Sequence, residues 1–181
     1  VVLNIMAGRS LVLDFEIEHS DAILYSFHPG TMGGPAIAQL IFGDETPSGK
    51  TPVTFPKHVG QIPLYYNHNM TGRPANGREE LLHEIPLRAG QTSLGMTSYW
   101  LDCPFAPEFP FGYGLTYTTF EYGQTHVEDS EGAFGVNDVI RIRANVKNTG
   151  DREATEVVQL YVSAPKGALD KPVHELKAFA K

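Results

Sequence analysis

The chain has 181 residues, 41% of them apolar, which is enough for one full domain or two small ones with a core. A formal charge of −7 with no Lys/Arg cluster argues against a nucleic-acid partner, and no apolar run approaches the roughly 20 residues needed to cross a bilayer, so membrane insertion is not expected. Cys103 is the only cysteine, which excludes an internal disulfide.

Val1 to Met6, VVLNIM, has the pattern of a buried strand that starts at the first residue with no lead-in, as in a chain cut from a longer one. Val1-Val2-Leu3 lacks the basic flank and length of a signal peptide. Ala7-Gly8-Arg9 makes a turn, and Leu11, Leu13 and Phe15 alternate with Val12, Asp14 and Glu16, which predicts an extended segment. A second strand follows near Ala22 to Phe27 and is broken by His28-Pro29-Gly30. Pro35 suits a first helical turn, Ile37, Leu40 and Ile41 recur on one face, and Gly43 is a natural stop, so a helix is predicted over Pro35 to Phe42. Val53 and Phe55 then lie in an extended segment held between Pro52 and Pro56.

Gly43 to Thr51, GDETPSGKT, imitates a phosphate-binding loop. That motif needs four residues between its first glycine and Gly-Lys-Thr, and here there are five. The context is also wrong, because a phosphate loop opens a helix, whereas this segment leaves one and runs into Pro52.

Lys57 to Pro110 is rich in Pro, Gly, Asn and His without a sustained period, and such a length of irregular chain is usual only where it is functional or wrapped over a neighbour. Two readings compete for its polar and aromatic residues. In one, Tyr65 and Tyr66 pack the connector down, and Asn67, His68, Asn69, Arg73 and Asn76 satisfy loop backbone. In the other, some of them, with His68 and Arg73 foremost, border a site for a hydroxyl-rich ligand. Trp100, the only tryptophan, is either an anchor beside Leu101 and Phe105 or a platform for a sugar ring. Asn69-Met70-Thr71 fits the N-glycosylation pattern, which matters only in a eukaryotic secretory host.

No catalytic constellation stands out. Seven histidines and one cysteine show no HExxH or CxxC spacing, so no structural zinc or zinc-hydrolase metal site is expected. Ser10, Ser26 and Ser48 lack the GxSxG frame of a nucleophile elbow. The carboxylate pairs Asp44-Glu45 and Glu79-Glu80 sit in polar loops, where solvated charge is the usual explanation.

From Phe111 the pattern turns to β. Tyr117, Thr119 and Glu121 alternate with Thr118, Phe120 and Tyr122, and Ile140, Ile142, Ala144 and Val146 predict one half-buried strand. Asn148-Thr149-Gly150-Asp151 makes a turn, and Val158, Leu160 and Val162 are expected on the inner face of the next strand, with Gln159 and Tyr161 opposite. A single hairpin of this kind needs a second sheet to be stable. HELKAFAK, at the end, reads as an approach to later strands.

Four stretches occur in a family order: HPGTMGGPAIAQLIFGDETPSGKTPVTFP from His28, VGQIPLYYNHNMTGRP from Val59, FPFGYGLTYTTFEY from Phe109 and VKNTGDREATEVVQLYV from Val146. In these the chain resembles glycoside hydrolase family 3, in particular the multi-domain bacterial β-glucosidases with a C-terminal fibronectin type III-like domain. It departs from most relatives at Phe27-His28, where many have Trp-Phe or Trp-Tyr, at Met32, where many have Glu, and at Tyr99-Trp100, where an Arg-Tyr pair is usual. The resemblance implies an α/β fold followed by all-β: the C-terminal part of an α/β sandwich domain over residues 1–56, an irregular connector over 57–110, and an incomplete fibronectin type III-like β-sandwich over 111–181.

The resemblance also implies a parent enzyme that removes terminal β-D-glucosyl residues from oligosaccharides with retention and without a cofactor. Its nucleophilic aspartate and its acid/base glutamate are expected upstream, so no catalytic residue is assigned to this chain. Expected partners are a β-linked oligosaccharide and the remaining domains of the parent, with a homo-oligomer left open. The expected location is periplasmic or secreted. A β-xylosidase, an N-acetylglucosaminidase and a non-catalytic carbohydrate-binding module remain as alternatives.

Overall fold

The computed structural model describes residues 1–90, 97–128, 134–135, 137–165 and 170–181. The stretch of the predicted connector at 91–96 lies outside the described residues. Strand β1 (Val2–Ile5) pairs in parallel with β2 (Ala22–Tyr25), Val2 opposite Ala22 and Ile5 opposite Tyr25. Parallel neighbours cannot be joined by a tight turn, so the chain must travel back between them.

It does so through helix α1 (Asp14–His19), which corrects the extended segment expected over Leu11 to Glu16. Alternation over six residues suits a strand only when a partner strand takes up the backbone groups. Here the helix takes them up: the Ile17 N–H donates to the Leu13 carbonyl at 2.9 Å. Leu13, 3% exposed, marks the core side of this turn, while Phe15 and His19, four residues apart, stack at 4.1 Å on the surface. Asp14 and Glu16 in the first turn complement the helix dipole.

Helix α2 (Gly33–Phe42) starts two residues before the expected Pro35 and ends at Gly43, whose φ of 81° closes it in the left-handed region. Ile37 and Leu40 are half-buried, whereas Ile41 and Phe42 are exposed. Beyond α2 the chain runs extended against Glu108 to Tyr113. Thr51 N–H donates to Tyr113 O at 2.7 Å, Gly112 N–H to Thr51 O at 2.8 Å, and Phe55 N–H to Phe109 O at 2.8 Å. Buried Phe55 sits at the centre of an aromatic group, 4.8 Å from Tyr25 and 6.1 Å from Phe109 between ring centroids.

The remaining strands form antiparallel pairs. Strand β3 (Phe120–Tyr122) pairs with β6 (Val146–Asn148), β4 (His126–Val127) with β5 (Ile142–Arg143), and β7 (Val158–Val162) with β8 (Glu175–Ala180). The single strand expected from Ile140 to Val146 is therefore two short ones. The break falls where Gly123 N–H bonds Asn145 O at 2.8 Å, between the two pairings, and Ile140 and Val146 are left exposed.

HELKAFAK, expected as an approach to later strands, itself carries strand β8. Its register against β7 shifts between Leu160 and Tyr161, and such a bulge breaks the two-residue period on which face assignments depend. Tyr161, expected outside, is half-buried among aromatic rings, and Val162, expected inside, is 47% exposed. Taken whole, the described chain is β-rich with two short helices and one turn of 3₁₀ helix at Val59–Gln61.

Candidate functional site

The stretch at 57–110 predicted as a connector is tied down at identifiable points. Next to the Phe55–Phe109 pairing, Lys57 and Glu108 form an ion pair at 3.8 Å. Tyr66 stacks on Phe111 at 4.1 Å with nearly parallel rings, and Tyr161 and His174 lie 6.1 and 5.6 Å from it. The Tyr66 hydroxyl accepts from Leu176 N–H at 3.3 Å, and His68 O accepts from Val173 N–H at 2.9 Å. The connector is thus docked on the β7–β8 pair. Tyr66 does the packing expected of the tyrosine pair, while Tyr65 is 63% exposed.

Gln61, in the 3₁₀ turn, is 1% exposed and has its carboxamide fully engaged. Its Oε1 accepts from the N–H groups of Lys57 at 2.7 Å and His58 at 3.2 Å. Its Nε2 donates to the carbonyls of Pro104 at 2.9 Å and Ala106 at 3.4 Å. Sequence reading passed over this residue. The only hint lay in a polar side chain set between Gly60 and Ile62-Pro63, where a turn has to be closed.

Between those two carbonyls stands Phe105, 37% exposed, on which two of the sequence candidates converge. Half-buried Trp100 stacks on it at 5.4 Å with 25° between the planes, and exposed His68 meets it edge-on at 6.0 Å. Arg73 is exposed, and its carbonyl accepts Ser98 N–H at 2.7 Å, two residues before Trp100. His68, Arg73 and Trp100 therefore belong to one loop cluster, with an aromatic ledge as its open surface. A groove of about 430 Å³ lies along the same connector, lined by Val53, Ile62, Leu64, Tyr65, Tyr66 and Phe111 among others.

Of the carboxylate pairs, Glu79–Glu80 lies beside the Trp100 segment through backbone contacts: the Tyr99 hydroxyl donates to Glu80 O at 3.4 Å, and Leu82 N–H donates to Leu101 O at 2.7 Å. Asp44 and Glu45 are exposed at the end of α2. The Glu79 carboxylate accepts backbone N–H groups of Asn76 and Gly77, and the Asn76 bond chiefly holds its carboxyl below the ordinary glutamate range. No group of three His, Cys, Asp or Glu residues is placed to hold a metal ion among the described residues. Cys103 is buried, and burial first, then Asp102, pushes its thiol up, away from the reactive thiolate. The lysine of the phosphate-loop look-alike is spoken for: Lys50 Nζ donates to Gly114 O at 2.9 Å and pairs with Glu156 at 3.1 Å, both side chains mostly buried.

Residues 1–117 match the glycosyl hydrolase family 3 C-terminal domain, and residues 156–181 match the fibronectin type III-like domain. The chain belongs to glycosyl hydrolase family 3. This family 3 chain is 40% identical to the periplasmic β-glucosidase of Salmonella typhimurium, a match covering 100% of the chain and 22% of the relative. It is 34% identical to a putative β-xylosidase of Formosa agariphila, covering 100% of the chain and 21% of the relative. Among solved structures, a mutant β-glucosidase from Listeria innocua in complex with laminaribiose superposes with a TM-score of 0.81 at 36% identity, over 99% of this chain and 23% of that one. The chain thus spans about a fifth of the length of the relatives it matches.

Proposed function

We propose that this family 3 chain is the non-catalytic C-terminal portion of a retaining, exo-acting β-glucosidase, and that its loop cluster forms an outer wall of the sugar site. The observation that carries this reading is the aromatic ledge of Trp100 and Phe105, met edge-on by His68, on a chain whose whole length aligns with about a fifth of an enzyme named a β-glucosidase. A sugar ring presents C–H faces that stack on aromatic planes and hydroxyls that need polar partners, and the ledge offers both. Retaining hydrolysis needs two carboxyl groups about 5 Å apart across the bond. Glu79 is occupied in closing a turn, and Asp44 and Glu45 sit at the end of a helix; it is the family resemblance that implies a reacting pair in the upstream domains of the parent. By the same resemblance the enzyme works in the periplasm or outside the cell, on a β-linked oligosaccharide. A β-xylosidase is the second reading, favoured by the Formosa agariphila relative.

The test is hydrolysis of an aryl β-glucoside. The 181-residue chain alone is expected to be inactive and the longer parent active. Within the parent, Asp44→Asn, Glu45→Gln, Glu79→Gln and Glu80→Gln should each leave kcat within about tenfold, because charges away from the scissile bond contribute little to the barrier. Activity of the isolated chain that one of these changes abolishes would place the catalytic pair here and defeat the proposal.

A further inference from the structure

Phe105 presents the plane on which Trp100 stacks, and the carbonyls on either side of it, of Pro104 and Ala106, are both held by the same Nε2 of Gln61. The other end of that carboxamide is fixed by the N–H groups of Lys57 and His58, in a turn more than forty positions away in sequence. Two acceptors lie at one end and two donors at the other, so only a side chain with two N–H donors and a carbonyl acceptor fits in one orientation. A glutamate would turn an oxygen toward two carbonyl oxygens, and a methionine would leave two buried carbonyls and two N–H groups without it.

We infer that Gln61 is the positioning residue of the aromatic ledge: it sets the backbone at Phe105, and through Phe105 the stacked Trp100, and so governs affinity for a β-linked sugar that it does not touch. The inference rests on the proposed sugar-facing role of the ledge. It adds a specific dependence, because a buried amide rather than the ring surface decides whether the ledge is formed.

Trp100 is the only tryptophan of the chain, so in the longer parent the emission lost in Trp100→Phe isolates the signal of the ledge. Two measurements are paired: acrylamide quenching without sugar, and the emission change on titration with laminaribiose. In Gln61→Glu, quenching should rise about twofold and laminaribiose affinity fall about tenfold, the equivalent of one lost hydrogen bond to a charged or buried group. Both should recover toward wild type as the introduced carboxyl protonates between about pH 7 and 5, because the protonated acid regains an O–H donor. Gln61→Met, of similar volume, should show the same loss with no recovery on acidification.

A merely structural role would lower the melting temperature of both variants, with Gln61→Glu regaining it on acidification, and leave laminaribiose affinity at the wild-type value. In the wild type, the Gln61 side-chain NH₂ should exchange slowly with solvent, a measurement that needs no variant. Rapid exchange of that NH₂, or unchanged quenching and affinity in both variants while the wild type responds to laminaribiose, overturns the role of Gln61 and leaves the sugar-facing ledge standing. A wild type without any laminaribiose response removes the ledge reading, and this inference with it.

Discussion

Gly112 shows what a single position in this chain has to satisfy. It lies at φ 79°, a region that side chains with a Cβ rarely occupy, and a Cβ there would run into the Gln159 amide oxygen and the Tyr161 hydroxyl. Those groups are close for a reason: Gln159 Nε2 donates to Gly112 O at 3.0 Å, and the Tyr161 hydroxyl donates to Gln159 Oε1 at 2.7 Å. Gly112→Ala should therefore cost about 1–3 kcal/mol and lower Tm by roughly 2–4 °C for each kcal/mol, as read by calorimetry. Gly49→Ala, at a glycine with open space around the Cβ position and no positive φ, should leave Tm within about 1 °C and serves as the control. The demand for glycine at 112 comes from β7, some fifty positions away, and nothing in the local sequence states it.

At the scale of elements, the turn at Asn76 to Glu79 is closed by a carboxylate rather than by packing. Asn76 Oδ1 accepts from Arg78 N–H at 3.1 Å, and Glu79 accepts from Asn76 and Gly77. These bonds favour the charged form, so the folded Glu79 titrates below its ordinary value of 4.5. A depressed folded pKa means that the turn has its full support above that value and loses it as pH falls through the lowered one. The Gly77 amide resonance should accordingly titrate with a midpoint below 4.5, and Glu79→Gln should abolish that titration while leaving the rest of the spectrum in place. A midpoint at or above the ordinary value would show that the turn is not held by this carboxylate. Such elements were only partly legible. The α2 helix and the β1 and β2 strands announced themselves through period and punctuation, whereas α1 did not, because six alternating residues satisfy a strand pattern as well as a short helix.

At the scale of the molecule, the α2 region and the β strands are joined by a compact set of polar contacts. The open carbonyl end of α2 is capped from the other part of the chain: the Tyr117 hydroxyl donates to Leu40 O at 2.7 Å, and Arg152 Nη2 donates to Gly43 O at 2.9 Å while its guanidinium lies 5.8 Å from the Tyr117 ring centroid. A cation at a helix C-terminus also complements the dipole. Nearby, Glu156 receives Lys50 and, at 3.0 Å, the Tyr122 hydroxyl, whose pKa is raised by burial first and by Glu156 next. Lys50→Met should cost about 2 kcal/mol, since it strands a mostly buried carboxylate, and Lys50→Met with Glu156→Leu should cost less than the sum of the two single changes. Thermal melts of the four proteins of this cycle check it, and strict additivity would mean that the pair does not join the two regions.

What the sequence determined by itself was whatever short-range chemistry decides: where the backbone turns, where α2 stops, which runs are strand-like, and the order of four stretches that identified the family. Only the tertiary structure decided that the look-alike lysine at 50 serves Glu156, that Tyr161 turns inward across a bulge, and that Gln61 ties two loops beneath Phe105. The physical reason is one of range. Periodicity and punctuation record interactions within a turn or two of chain, whereas a buried amide or ion pair is satisfied by partners tens of residues away, and only packing brings those partners within hydrogen-bond distance.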